Sequence, residues 1–261
     1  MTAPELFEGY EFIKDRNIGY SRYGDGPNYI LCVCGAVGCY KKDWPLSLLK
    51  CFPPDFVTIV CIDPPGYGTS RPPDRIQEVN RCKMDAEYCL LLMKTLQFEP
   101  FTIVGWSEGA RTAIHVAGQG KQAVNRMVLV AGGSKVNKLG AMAFQGMRDT
   151  DHWLPQARSP YLTHYSNEYL KIQWAALCNV VDQVYQFCGG RFPCDYVLPS
   201  IKCPSLVING GMDRFCGDPR TNFQPVLKDL RIEVHAQGGH DFHIKYPKWF
   251  STQLIDFIKK T

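Results

Sequence analysis

The sequence predicts an α/β fold, a mostly parallel eight-stranded sheet flanked by helices and carrying an inserted helical cap. Three observations carry that prediction. Short apolar runs alternate with helical stretches along most of the chain. From the third run onward they are almost continuously apolar, as in "YILCVCG", "FVTIVCID" and "FTIVGWS", which suits strands covered on both faces. Between about residues 134 and 200 the alternation stops.

In chain order, "GYEFIKDR" and "IGYSRYG" form an antiparallel edge, and the strands "YILCVCG", "FVTIVCID", "FTIVGWS", "RMVLVAGG", "PSLVING" and "RIEVHAQ" follow. The helical stretches are "DWPLSLLKCF", "DAEYCLLLMKTLQF", "EGARTAIHVAGQG" and the closing "YPKWFSTQLIDFIKK". The segment 134–200 has no convincing strand and is rich in aromatic residues, among them Trp153, Tyr161, Tyr165, Tyr169 and Trp174. It is too long for a bare loop in a compact domain. It reads as several short helices over the carboxyl edge of the sheet, where open α/β sheets bind ligands. The expected organisation is a core of residues 1–133 and 201–261 with a helical cap at 134–200.

Composition narrows the function classes. With 45% hydrophobic residues in 261, the chain can bury a full core. A formal net charge of +4, spread rather than clustered, gives no case for nucleic acid. The first twenty residues lack a basic segment followed by an apolar one, and no run is long enough for a bilayer. The expectation is a cytoplasmic monomer acting on a small molecule, or a mitochondrial one if a targeting segment has been omitted, with no membrane partner. The twelve cysteines have no C-x-x-C spacing and several lie inside apolar runs, so reduced, structural thiols are expected. No ligand cluster or phosphate-cradling loop points to a metal or organic cofactor.

The chemistry concentrates at "VGWSEGA". A serine between two glycines, where a strand gives way to a helix, is the arrangement that projects a nucleophile from a tight turn. Gly105 and Gly109 stand where a side chain would collide with neighbouring backbone, which leaves Ser107 at the apex. In such a fold the acid and the histidine follow the serine in that order. Asp213 in "SLVINGGMDR" is the acid after the seventh strand, and His240 in "RIEVHAQGGHDFH" is the base after the eighth. Asp218 and His243 are rivals, but the first lies further from its strand end and the second already leads into the last helix. Oxyanion donors are expected from the backbone N–H of Glu108 and of Ala36, in the loop after the third strand. Cys34, beside them, is read as a buried strand-end thiol.

With "GWSEG", "DPPGYGTSRPPDR", "CPSLVINGGMD" and "GGHDFHIKYP" in view, the chain resembles the α/β-hydrolases, and within them the valacyclovir hydrolase (biphenyl hydrolase-like) group, over nearly its whole length. The resemblance implies a serine esterase for α-amino acid esters. It also implies that the carboxylate after the nucleophile, here Glu108 where the group has aspartate, binds the substrate ammonium. The chain departs from that pattern at Glu108 and Ala110, and has Cys34-Gly35 where many relatives have His-Gly. Two alternatives stay open: the same triad cleaving a thiolactone, an aminoacyl amide or a carbon–carbon bond, and a silent hydrolase fold that only binds. Asp63 is read as structural.

Overall fold

The computed structural model describes residues 6–261, so the first five residues of the expected core lie outside the described region. The strands are β1 (Phe7–Ile13), β2 (Arg16–Tyr23), β3 (Asn28–Val33), β4 (Val57–Ile62), β5 (Phe101–Trp106), β6 (Val124–Val130), β7 (Ser205–Gly210) and β8 (Leu230–His235). They form one sheet in the order β1-β2-β4-β3-β5-β6-β7-β8. β2 pairs antiparallel with both β1 and β4, and every other pairing is parallel. Every residue of β4, β5 and β7 is buried, so these runs show no period-two alternation: helices cover both faces.

The helices in chain order are α1 (Tyr40–Asp43), α2 (Leu46–Leu49), α3 (Arg81–Thr95), α4 (Glu108–Gln119), α5 (Lys138–Gly146), α6 (Pro155–Leu162), α7 (Asn167–Phe187), α8 (Pro219–Asn222), α9 (Phe242–Lys245) and α10 (Pro247–Lys260). Some boundaries differ from the sequence reading. Of "DWPLSLLKCF" only Leu46–Leu49 is helical apart from Asp43, which ends the separate helix α1, because Pro45 sets extended backbone at its own position and starts a new helix after it. α3 begins at Arg81, four residues before the expected Asp85, and its N-cap residue Asn80 makes no side-chain capping bond that could have signalled the start. Among the described residues no helix is long and apolar enough to cross a membrane. All twelve cysteines are free, and eight are buried.

Between β6 and β7 the chain forms α5, α6, α7 and three short 3₁₀ turns. The insertion packs on the loops that follow β3 and β4. The Tyr165 hydroxyl accepts from Gly68 N–H at 2.7 Å and donates to the Gly38 carbonyl at 2.7 Å, and the Gln173 amide donates to the Arg75 carbonyl at 2.9 Å. One aromatic cluster, Trp153 edge-on to Trp174 with centroids 4.6 Å apart and Tyr161 beside both, holds α6 to α7.

Candidate active site

Ser107 sits between β5 and α4 with φ +56° and ψ −113°, a left-handed backbone uncommon for any residue but glycine. The turn is this tight because its flanks carry no Cβ. A Cβ at Gly105 would lie 2.0 Å from the Gly109 carbonyl oxygen, and one at Gly109 would lie 2.4 Å from that of Val33. Gly105→Ala is therefore expected to cost about 1–3 kcal/mol or more, since backbone rather than a flexible side chain must move. A urea midpoint within error of the unsubstituted protein would contradict this.

The acid and histidine loops are stitched by the same device. A Cβ at Gly210 would meet the carbonyls of Gly238 and Gly239 at 2.3 and 2.4 Å, and this contact lets Met212 N–H donate to Gly238 C=O at 2.8 Å. The three expected side chains come together. The Ser107 hydroxyl donates to His240 Nε2 at 2.9 Å, and His240 Nδ1–H donates to Asp213 Oδ2 at 2.8 Å, in the tautomer this network requires. The other Asp213 oxygen accepts from Phe215 N–H at 2.8 Å. Burial pushes the Asp213 carboxyl up, but the hydrogen bond and charge of His240 and the Phe215 N–H outweigh it and hold the group below its ordinary value. The imidazole is framed by the edge of Phe215 and by Trp106, whose Nε1–H donates to the His240 carbonyl at 2.9 Å.

The rivals are engaged elsewhere. Asp218 is exposed and caps α8 by accepting from Arg220 N–H at 2.9 Å. His243 is fully buried, donates from Nε2 to the Asp43 carbonyl at 3.0 Å, and burial pushes its pKa down to about 3. Burial likewise lowers His115 to about 4. An unfolded imidazole takes up its proton near pH 6.5, whereas these take it up only far below. Between those values the unfolded chain binds more protons, so stability is lost as pH falls from about 6.5. The thermal midpoint is expected to drop less steeply from pH 7 to 4 in His243→Asn; parallel curves would count against the assignment. Cys34 is buried and its thiol is pushed well above the ordinary value by that burial, which suits a packing role.

The loop after β3 is pinned on both sides of Ala36. Gly35 N–H donates to Asp43 Oδ2 at 3.0 Å, and Val37 N–H donates to the Tyr67 hydroxyl at 2.9 Å. A Cβ at Gly35 would lie 2.7 Å from the Trp106 ring and 3.2 Å from Ser107 Cβ, so only glycine allows this loop so near the serine. Asp63, fully buried, accepts from the N–H groups of Tyr40 and Thr69, each at 2.7 Å, and so clamps the loop after β4 to α1. Asp43 and Tyr67 are positioning residues without a local sequence signal.

Glu108 differs from the expectation. Its carboxylate is buried and paired with Arg81 of α3, with Arg75 3.8 Å away. Burial would raise its pKa, but Arg81, Arg75 and Arg111 together hold it low. Arg75 in turn grips Asp85 through two bonds of 3.0 and 2.6 Å. A carboxylate shared by guanidinium groups is not a free counter-ion for a substrate ammonium. In this arrangement the Glu108 side chain ties the first turn of α4 to α3. Its backbone N–H remains at the elbow.

Comparison with known proteins gives a consistent picture. The pattern of the alpha/beta hydrolase fold family matches residues 28–152. Serine hydrolase BPHL of Mus musculus is 31% identical over 246 residues, covering 93% of this chain and 83% of that protein. The Homo sapiens serine hydrolase BPHL is 29% identical, covering 92% and 82%. Among solved structures, a serine hydrolase involved in carbazole degradation (CarC enzyme) superposes with a TM-score of 0.78 at 18% identity, over 98% of this chain and 100% of that one.

Proposed function

Because this chain belongs to the α/β-hydrolase family and has serine hydrolases among its relatives, we propose that it is a carboxylic ester hydrolase working through Ser107, His240 and Asp213. The observation that carries the proposal is the unbroken hydrogen-bond chain from the Ser107 hydroxyl through His240 to Asp213. Serine is a poor nucleophile at neutral pH until a base takes its proton. His240 Nε2 accepts that proton as Ser107 Oγ attacks the ester carbon. The oxyanion forms within reach of the N–H groups of Ala36 and Glu108, at the positive end of α4. His240 then hands the proton to the leaving alcohol, and a water activated the same way releases the acid from the acyl-enzyme. Asp213 holds the imidazole tautomer and stabilises the imidazolium.

Amino acid esters are the first acyl class to examine, since the group this chain resembles acts on them. Glu108, bound to Arg81, is not the side chain that would select them. The test is labelling by a fluorophosphonate, expected in the unsubstituted protein and absent in Ser107→Ala, with rates measured on aminoacyl esters, plain acyl esters, a thiolactone and an aminoacyl amide. No labelling of the unsubstituted protein would leave a fold that binds without catalysis.

A further inference from the structure

Three residues after Asp213, in the loop between β7 and α8, the Cys216 thiol lies beside the Asp213 carboxylate. Cys216, Asp213 and His240 each offer one donor atom, and those three atoms lie within 4.8 Å of one another. The ester-cleaving mechanism has no use for this thiol. Sulfur, imidazole nitrogen and carboxylate oxygen together are a donor set suited to zinc, which takes all three at bonds of about 2.0–2.3 Å. In a tetrahedral centre such bonds separate the donors by roughly 3.3–3.8 Å. His240 Nδ1 and Asp213 Oδ2 now stand 2.8 Å apart around a proton, so exchanging that proton for a metal needs them to part by roughly half an ångström. A quarter of the His240 side chain is open to solvent, which gives an ion a way in.

We propose that Asp213, Cys216 and His240 form a site for a divalent zinc ion whose binding switches the triad off. Protons and charge balance. The Cys216 thiol proton leaves to water and the thiolate binds the metal. The Nδ1 lone pair binds it as well, so the proton of the neutral ring moves to Nε2. Two positive charges then meet the thiolate and the Asp213 carboxylate. With Nε2 protonated, the ring presents a donor to Ser107 where catalysis requires an acceptor, and the hydroxyl has lost its base. A fourth position stays free for water, as in open three-ligand zinc sites.

The binding half of this inference stands without the hydrolase reading, and the inhibitory half rests on it. Calorimetric titration of the full chain with zinc chloride is expected to show one ion per chain, and Ser107→Ala is expected to bind equally well. Cys216→Ser is expected to bind at least about 10- to 100-fold more weakly, no less than the loss of an outer partner costs a metal site. Cobalt(II) is expected to give a thiolate-to-metal charge-transfer band in the unsubstituted protein that Cys216→Ser lacks, with Cys216→Ala as a second variant and thermal melts confirming that both are folded. Ester hydrolysis is expected to fall on adding zinc, to return on adding a chelator, and to be insensitive in Cys216→Ser relative to that variant's own metal-free rate. Unchanged zinc affinity or an unchanged cobalt band in both Cys216 variants would overturn the site. Stoichiometric binding with full hydrolysis would overturn the switch. Binding by a protein whose Ser107 takes no fluorophosphonate would leave the site standing and remove the esterase reading instead.

Discussion

Ser107→Ala is expected to lower kcat on a cleaved ester by about 10⁶-fold, and His240→Ala by a similar factor, while Asp213→Asn costs about 10⁴-fold. The ordering follows from the hydrogen-bond chain. Serine and histidine act as one unit, since without Nε2 as acceptor the hydroxyl keeps its proton, and without the hydroxyl the imidazole has nothing to activate except water. Asp213 contributes one step removed, through the tautomer and the imidazolium. The double variant Ser107→Ala/His240→Ala is accordingly expected to be no slower than either single variant. Steady-state rates, with melting curves to confirm folding, check all four. A Ser107→Ala rate within tenfold of the unsubstituted protein would mean that another group is the nucleophile.

Glu108→Gln is expected to destabilise the fold by about 3–5 kcal/mol, the range for breaking a buried ion pair by removing one partner. The removed charge faces Arg81 and Arg75 inside the protein, and Arg111 acts on it as well. Once it is gone, Asp85 is the carboxylate left to answer the guanidinium groups of that cluster. An amide can still accept from Arg81, which places the loss toward the lower end. KM values for aminoacyl and plain acyl esters are expected to move together. Denaturant unfolding and the ester panel check the two halves; intact stability with a KM rise confined to amino esters would return Glu108 to the role that the family resemblance gives it.

The pairing of Glu108 with Arg81 could not be read from the chain, for a physical reason. Arg81 lies 27 positions before Glu108, and neither residue carries a local pattern that announces the other. Arg75 and Asp85 meet across a turn and the start of a helix. Such ion pairs depend on how elements pack, whereas the sheet depends on what each segment does alone. The central strands β4, β5 and β7 can be read from the chain because a strand covered on both faces must be apolar throughout, and the elbow can be read because only glycine tolerates its contacts. The chain order of Ser107, Asp213 and His240 can be counted off the strand ends. Cys216 is silent in the sequence for the opposite reason: among twelve cysteines, only the fold of its loop sets it apart by bringing it to Asp213 and His240.

The Tyr165 hydroxyl joins two loops through one atom, accepting a hydrogen bond from Gly68 N–H and donating one to the Gly38 carbonyl. Swinging the inserted helices outward would strand an amide on one side and a carbonyl on the other, each costing about 1–3 kcal/mol until water reached it. The stretch around Ala36 cannot slacken while that phenol is seated. The loops that follow β3 and β4 are in this way geared to a single ring.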